Sequence, residues 1–146
     1  MMPNQAIEPA GIKPLEILVA NDNPDDIRLI PDAFSLWKGS RRVQVFLNGA
    51  GALVHFENRQ QGNHPDLILL DWNLPGINGE QVLEHLKDDQ SLKKIPVVIF
   101  TSSSAPAHRL KAIGLGADGF VTKPLDIDDF FNVIADVEEF VSARGR

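Results

Sequence analysis

Short uninterrupted apolar runs alternate along this chain with segments that have a helical apolar spacing. Four such runs cover residues 17–20, 67–70, 97–100 and 119–121. Runs of this length are typical of strands buried on both faces, as in a parallel sheet covered by helices. A fifth segment places Val43, Val45 and Leu47 on one face, which indicates a strand nearer the edge of the sheet. The alternation predicts an α/β protein.

Five segments between and after these runs have the apolar spacing of amphipathic helices. The clearest follows Asp126, a predicted N-cap, and carries apolar residues at positions 127, 130, 131, 134, 137 and 141. The others are centred on residues 27–37, 50–58, 82–86 and 110–113. We predict a (βα)5 chain whose parallel five-stranded sheet lies between two helical layers, a three-layer sandwich. Pro31 falls inside the first helix, where we expect a kink or a new helix start.

Length and composition exclude several classes of protein. The 146 residues suit one domain, which we place at residues 15–146 after a flexible arm of residues 1–14. A formal charge of −6 argues against nucleic-acid binding, and the absence of cysteine excludes disulfides and thiolate metal sites. The apolar runs are too short to span a membrane, and the N-terminus has no signal-peptide pattern, so we expect a cytoplasmic protein.

Polar side chains follow four of the predicted strands. Asn21 and Asp22 follow the first run, and Asp71, Thr101 and Lys123 follow the later ones. A lone Asp after a strand is most often an N-cap or turn residue, but parallel sheets bind ligands where strand carboxyl ends converge. Two carboxylates there suit Mg²⁺, and a carboxylate beside the metal can attack a phosphoryl donor. A hydroxyl and an ammonium can then contact the phosphoryl oxygens.

Four segments resemble, in order, the motifs of response-regulator receiver domains. They are residues 17–26 with Asn21-Asp22-Asn23, residues 71–79 beginning Asp71-Trp72-Asn73, residues 97–102 ending Thr101-Ser102, and residues 120–124 ending Lys123-Pro124. The resemblance covers nearly the whole chain, from about residue 15 to residue 140. It implies a flavodoxin-like fold with strand order 2-1-3-4-5, and a two-component signalling module that accepts a phosphoryl group from a sensor histidine kinase.

The resemblance also implies which residues bind the metal and the phosphoryl group. Asp71 would be the phosphoacceptor and form an aspartyl phosphate. Asp22, Asp71 and the backbone carbonyl of Asn73 would bind Mg²⁺. The family usually has two acidic residues where this chain has Asn21 and Asp22, so Asn21 would hold the metal only through a water molecule. Loss of one charge near a divalent ion predicts weaker metal binding, by about tenfold.

Three further positions take their roles from the same resemblance. Thr101 and Lys123 would contact the phosphoryl oxygens. Phe120 would be a switch residue that reports phosphorylation at the protein surface. The bond between Lys123 and Pro124 would be cis, an isomer that X-Pro bonds adopt in tight turns.

The partners are expected to be proteins. Within the family, the chain resembles more closely the stand-alone receivers of phytochrome-type histidine kinases, on the basis of residues 22–26, 87–96 and 137–140. Since no output domain follows Arg146, we expect the signal to pass to a downstream protein or a phosphotransfer partner, and the chain not to be an enzyme. A homodimer is also expected, through the fourth helix, fifth strand and fifth helix.

Two other functions remain possible on the sequence alone. A pseudo-receiver that binds proteins with weakened phosphorylation is supported by Asn21. An Asp-nucleophile phosphatase would need an Asp-x-Asp pattern starting at the nucleophile, but position 73 is Asn. Treatment with a small acyl-phosphate donor separates the three functions, because they predict stable single labelling, no labelling or turnover.

Overall fold

Strands and helices alternate throughout the part of the chain that the structure describes. The computed structural model describes residues 14–34, 41–58 and 64–144. Its elements are β1 (Leu15–Ala20), α1 (Pro24–Ala33), β2 (Arg41–Phe46), α2 (Gly49–Asn58), β3 (Leu67–Leu70), α3 (Gly79–Asp88), β4 (Val97–Thr101), α4 (Pro106–Gly114), β5 (Gly119–Thr122) and α5 (Ile127–Ala143). The five strands are parallel and lie in the order β2-β1-β3-β4-β5. The predicted (βα)5 fold and strand order are confirmed.

The sheet has a separate apolar core on each of its two faces. On one face, alternate residues of β1, β3 and β4 pack with α2, α3 and Ala112 of α4. On the other face, the remaining residues of those strands pack with α1 and α5, where Ile30 and Ile134 are almost fully buried. Every residue of β3 and β4 is buried, as their uninterrupted apolar sequences predict. The edge position predicted for β2 is also confirmed, because among the described strands it pairs with β1 alone.

Two helices differ in detail from the sequence expectation. Helix α1 continues through Pro31 and ends two residues later at Ala33, so no new helix starts at the proline. In helix α4, which the spacing of Leu110 and Ile113 predicted, Leu110 is 73% exposed and Ile113 46% exposed. The small Ala112 side chain is the buried residue of α4, and the larger apolar residues of this helix face outward.

The last helix begins as its sequence predicts. The Asp126 side chain accepts a hydrogen bond from the Asp128 backbone N–H, which satisfies one of the free N–H groups of the first turn. The predicted arm, apart from residue 14, and the Trp37 position of the first helix pattern lie outside the described residues. Within the described ranges, no helix has both the length and the apolar character needed to cross a membrane.

Candidate functional site

The carboxyl ends of four strands bring polar side chains together at one edge of the sheet. Asp71 follows β3 directly, Asn21 follows β1, Thr101 ends β4, and Lys123 follows β5. The Lys123 Nζ atom lies 3.1 Å from Asp71 Oδ2, although 52 residues separate the two in sequence. The structure therefore brings the predicted phosphoacceptor and the predicted phosphoryl-binding lysine into direct contact.

Asp71 is buried, and both of its carboxylate oxygens have partners. Only 6% of the residue is exposed. Its Oδ1 accepts a hydrogen bond from the Asn73 backbone N–H at 3.1 Å, while Oδ2 faces Lys123. The Asp71 backbone N–H donates to the carbonyl of Ala20 at 2.9 Å, which ties the end of β3 to the end of β1. The carboxylate is thus held by the backbone of its own loop and by Lys123 at the end of β5.

A glycine fixes the loop that follows Asp71. A Cβ atom on Gly79 would lie 2.2 Å from the Asp71 carbonyl oxygen and 2.7 Å from Trp72 Cα, distances too short for any side chain. The Gly79 N–H also donates to the Trp72 carbonyl at 3.0 Å. One residue earlier, Asn78 and Gln81 form a reciprocal capping box at the start of α3. Helix α3 therefore begins against the backbone of the phosphoacceptor loop.

The other predicted metal-binding positions lie around this carboxylate. Asp22 is exposed, as is the Asn73 side chain, while Asn21 is 2% exposed. The Asn21 Oδ1 atom accepts from the Asn23 backbone N–H at 2.8 Å, and its Nδ2 donates to Asp26 Oδ2 at 3.2 Å. Both ends of the Asn21 amide therefore have protein partners, and its contact to a metal-bound water stays a prediction.

Asp26 is a site residue that the sequence analysis missed. It is 8% exposed, and its Oδ2 contacts the Lys123 ammonium as well as the Asn21 amide. A helical signal was available, because positions 26, 30 and 33 follow the i, i+4, i+7 spacing of one helix face. Since Ile30 and Ala33 mark the buried face of α1, an acid at position 26 must point into the protein.

Thr101 and Phe120 lie beside the site on neighbouring strands. Thr101 has no exposed surface, and its Oγ1 accepts from the Ser103 backbone N–H at 3.3 Å. Its carbonyl accepts from the Lys123 N–H at 2.7 Å, which fixes the backbone from which the lysine extends. Phe120 is buried, and the Arg109 guanidinium lies 5.9 Å from the centre of its ring.

The predicted cis bond before Pro124 is wrong. No cis peptide bond occurs in the described residues, which include Lys123 and Pro124. The trans form is the lower-energy isomer of an X-Pro bond by about 0.5–1 kcal/mol. With this trans bond the chain passes from β5 to the N-cap of α5 at Asp126.

The available donor atoms fit a hydrated Mg²⁺ ion better than a closed metal cage. Within the described ranges, no group of three or more His, Cys, Asp or Glu side chains has the arrangement of a metal site. Mg²⁺ keeps several waters and needs only one or two carboxylates from a protein. Asp22 and Asp71, with the backbone carbonyl of Asn73, would supply oxygen donors of that kind, as the sequence predicts.

A family model for the response regulator receiver domain matches residues 17–135. The chain belongs to this family. It is 30% identical to the response regulator Rcp1 of Synechocystis over 132 residues, covering 87% of this chain and 88% of Rcp1. The solved structure of the phosphorylated cyanobacterial phytochrome response regulator RcpA has a TM-score of 0.85 and 30% identity, and the match covers 92% of this chain and 98% of RcpA.

A second solved structure bears on the metal. The structure of the Mn²⁺-bound form of response regulator Rcp1 has a TM-score of 0.80 and 28% identity, and the match covers 87% of this chain and 94% of that one. The sequence hypothesis of a receiver in two-component signalling is therefore confirmed. Receiver domains are signalling modules, and membership in the family implies a histidine kinase as partner.

Proposed function

We propose that this receiver domain accepts a phosphoryl group on Asp71 from a histidine kinase and binds Mg²⁺ at the same site. The observation that carries the proposal is the pairing of a buried strand-end carboxylate, Asp71, with the Lys123 ammonium at 3.1 Å. An Asp71 oxygen forms the new bond to phosphorus while the bond from phosphorus to the kinase imidazole nitrogen breaks. The leaving imidazole takes up a proton.

The surrounding groups have complementary tasks in this transfer. The Asn73 N–H orients Asp71 through Oδ1, which leaves Oδ2 on the side of Lys123. Lys123 can follow the negative charge from the carboxylate to the phosphoryl oxygens, and the Thr101 hydroxyl can donate a further hydrogen bond. When bound, Mg²⁺ supplies the positive charge that offsets repulsion between the carboxylate and the incoming phosphoryl group.

Labelling with a small acyl-phosphate donor in the presence of Mg²⁺ tests the proposal. Intact-mass spectrometry should detect one phosphoryl group on the parent protein and none on Asp71→Asn. Asp25→Asn is the matched control, because its side chain is 78% exposed and lies near the same edge. That variant should be labelled like the parent.

Three results would contradict the proposal. Undiminished labelling of Asp71→Asn would place the acceptor elsewhere. No labelling of the folded parent protein would favour the pseudo-receiver function. Sustained turnover of a phosphate ester would favour a phosphatase. Against a pseudo-receiver stands the contact between Asp71 and Lys123, and against a phosphatase stands Asn at position 73.

We also propose a phytochrome-type histidine kinase as the phosphoryl donor. Support comes from the similarity to RcpA, whose structure is that of a phytochrome response regulator, over 92% of this chain. Transfer from candidate kinases, compared at equal concentration, would identify the partner. A phosphotransfer protein or another downstream target would then take up the signal.

The face formed by α4, β5 and α5 is proposed as a surface for self-association. Leu110 and Ile113 are exposed there, and Phe120 and Phe140 line a groove that also contains Arg109 and Asp136. A two-fold dimer places the same surface of both copies together. The basic and acidic groups of that groove can then pair between copies around an apolar centre.

A further inference from the structure

The Lys123 ammonium lies between two buried carboxylates rather than one. Its Nζ contacts Asp26 Oδ2 and lies 3.1 Å from Asp71 Oδ2. The three side chains are only 7–12% exposed, so water screens these charges weakly. Asp26 extends from α1 and Asp71 from the end of β3, so the lysine joins a helix to a strand end.

The charge balance of these groups depends on Asp26. With Asp71 alone, Lys123 would neutralise the only buried carboxylate at this edge, because Asn21 carries no charge. Asp26 adds a second negative charge, so the buried cluster of Asp26, Asp71 and Lys123 has a formal charge of −2 + 1 = −1. A divalent cation is attracted to a site that keeps this excess negative charge.

Asp26 is also held in place by its neighbours. The Asn21 amide donates to the same Oδ2 that contacts Lys123, and the Asp26 backbone N–H donates to Asn23 Oδ1 at 3.1 Å. The neighbouring acid, Asp25, also lies in the first turn of α1, but its side chain is exposed to solvent. The two acids therefore lie in the same helix turn, one residue apart, but Asp26 contacts Lys123 and Asp25 points to solvent.

We propose that Asp26 is a positioning residue of the phosphorylation site. It holds the Lys123 ammonium beside Asp71 and shares its charge, so that Asp71 keeps negative charge for a metal ion and a phosphoryl donor. The inference rests on the proposed function of Asp71. It predicts that removal of the Asp26 charge weakens Mg²⁺ binding, because Lys123 then pairs with Asp71 alone.

The test is a Mg²⁺ titration of Asp26→Asn with Asp25→Asn as the matched control. Trp72 follows Asp71 and reports binding by fluorescence, and a Trp37→Phe background leaves Trp72 as the single tryptophan of the chain. The dissociation constant should rise roughly fivefold in Asp26→Asn and less than twofold in Asp25→Asn. Urea unfolding without Mg²⁺ records any loss of stability separately.

A second pair of variants removes the dependence on one substitution. Asp26→Glu and Asp26→Gln have side chains of equal length and differ in charge alone. The Asp26→Glu variant should bind Mg²⁺ about fivefold more tightly than Asp26→Gln. This comparison holds even if Asp26→Asn does not fold. Equal dissociation constants for Glu and Gln, or equal effects of Asp26→Asn and Asp25→Asn, would overturn the assignment of Asp26.

The results that would contradict the proposed function of Asp71 differ from those that would contradict the role of Asp26. If the parent protein neither binds Mg²⁺ nor accepts a phosphoryl group, the role of Asp71 is wrong. If the parent does both and the Asp26 variants match it, only the role of Asp26 is wrong. A fall in the urea midpoint of Asp26→Asn with an unchanged Mg²⁺ dissociation constant would also overturn the inference, because it would show a structural role alone.

Discussion

The two ends of the sheet each hold a lysine in contact with an aspartate, but with opposite charge balance. At the carboxyl edge, Asn21, Asp26, Asp71 and Lys123 form the carboxyl-edge cluster, with a formal charge of −1. At the amino ends of the strands, Lys87, Asp118 and Arg144 form the amino-edge cluster, with a formal charge of 2 − 1 = +1. Only the carboxyl-edge cluster has surplus negative charge to attract a metal ion.

The two lysines also differ in how their hydrogen bonds are used. The Lys87 ammonium donates to the carbonyls of Lys93 and Ile95 and to Asp118, at 3.1, 3.4 and 3.3 Å. Its three donors thus have three acceptors, two of which are backbone carbonyls that no phosphoryl group replaces. Lys123 instead contacts two carboxylates. One of them belongs to Asp71, the residue that we propose is phosphorylated.

Asp118 and Asp71 also differ in whether the backbone or a side chain donates to their Oδ2 atoms. Asp118 Oδ2 accepts from the Val97 backbone N–H at 2.8 Å and so completes the hydrogen bonding at the start of β4. Asp71 Oδ2 accepts only a side-chain donor among the bonds described. The amino-edge cluster, in which backbone groups fill the hydrogen-bonding positions, stabilises the fold. The carboxyl-edge cluster has side-chain partners that can be exchanged during a reaction.

Asp118→Ala should have the largest effect of the substitutions on the free energy of unfolding. It tests whether the amino-edge cluster stabilises the fold without contributing to metal binding. The substitution leaves the buried Val97 N–H without its acceptor and removes the ion-pair partner of Lys87. We expect a loss of about 2–3 kcal/mol in the free energy of unfolding, measured by urea denaturation. Phosphoryl labelling and the Mg²⁺ dissociation constant of the folded variant should match the parent.

Asp118→Asn is the graded control for this change. It keeps an acceptor oxygen for Val97 but removes the charge, so its loss of stability should be less than half that of Asp118→Ala. If Asp118→Ala weakens Mg²⁺ binding as much as Asp26→Asn does, the two edges are not functionally separate.

Much of the fold followed from the sequence because buried parallel strands leave a simple pattern. The uninterrupted apolar segments at β3 and β4 matched strands buried on both faces, and the capping aspartate of α5 was also identified. Helix α4 was located, but not its buried face. Leu110 and Ile113 have helical spacing yet face outward, because apolar periodicity indicates a helix face without showing what covers it.

The candidate site was predicted less completely than the fold. Strand-end residues such as Asp71 and Lys123 could be placed at one edge, because parallel strands all end there. Asp26 escaped this reasoning because it belongs to a helix, and its contact with Lys123 joins positions 97 residues apart by number. Such a contact depends on how α1 packs beside α5 on the sheet, which sequence spacing does not encode.

Asn21→Asp sharpens the comparison by making the carboxyl-edge cluster more negative. The new carboxylate would lie beside Asp26, whose Oδ2 is 3.2 Å from the present Nδ2. We expect Mg²⁺ to bind about tenfold more tightly, because the ion relieves this added repulsion. The free energy of unfolding without Mg²⁺ should fall for the same reason. Fluorescence titration and urea denaturation measure the two effects.

The double variant Asn21→Asp/Asp26→Asn is the control for Asn21→Asp. It moves the negative charge between two neighbouring side chains without adding one, so its Mg²⁺ affinity should return to within about twofold of the parent. Equal or weaker Mg²⁺ binding by Asn21→Asp alone would show that charge at this position does not govern metal affinity.

Phe120 lies in β5, between Asp118, which precedes the strand, and Lys123, which follows it. Ile99 pairs with Phe120 and Thr101 with Thr122, so Thr101 and Phe120 lie diagonally on the same face of neighbouring strands. If phosphorylation of Asp71 draws the Thr101 hydroxyl toward the phosphoryl group, the space beside the Phe120 ring changes. A ring with two packing positions can then carry the signal to α4, where Arg109 contacts it.

Phe120→Leu should have a smaller effect than Asp118→Ala or Asn21→Asp. Leucine keeps apolar contacts in this buried position, whereas alanine would leave a cavity that costs about 3 kcal/mol or more. Labelling of Asp71 should stay at the parent level, because Phe120 makes no contact with the carboxylate among the described interactions. We expect phosphorylation to increase self-association through the surface of α4, β5 and α5. This increase, measured by sedimentation velocity, should be about two- to threefold smaller in Phe120→Leu, since a flexible aliphatic side chain has no ring to hold in two positions. Val43→Leu in β2, at the opposite edge of the sheet from β5, is the control and should respond to phosphorylation as the parent does. A response of Phe120→Leu equal to that of the parent would mean that Phe120 is a core residue only, and that the carboxyl-edge cluster acts on the α4 surface by another route.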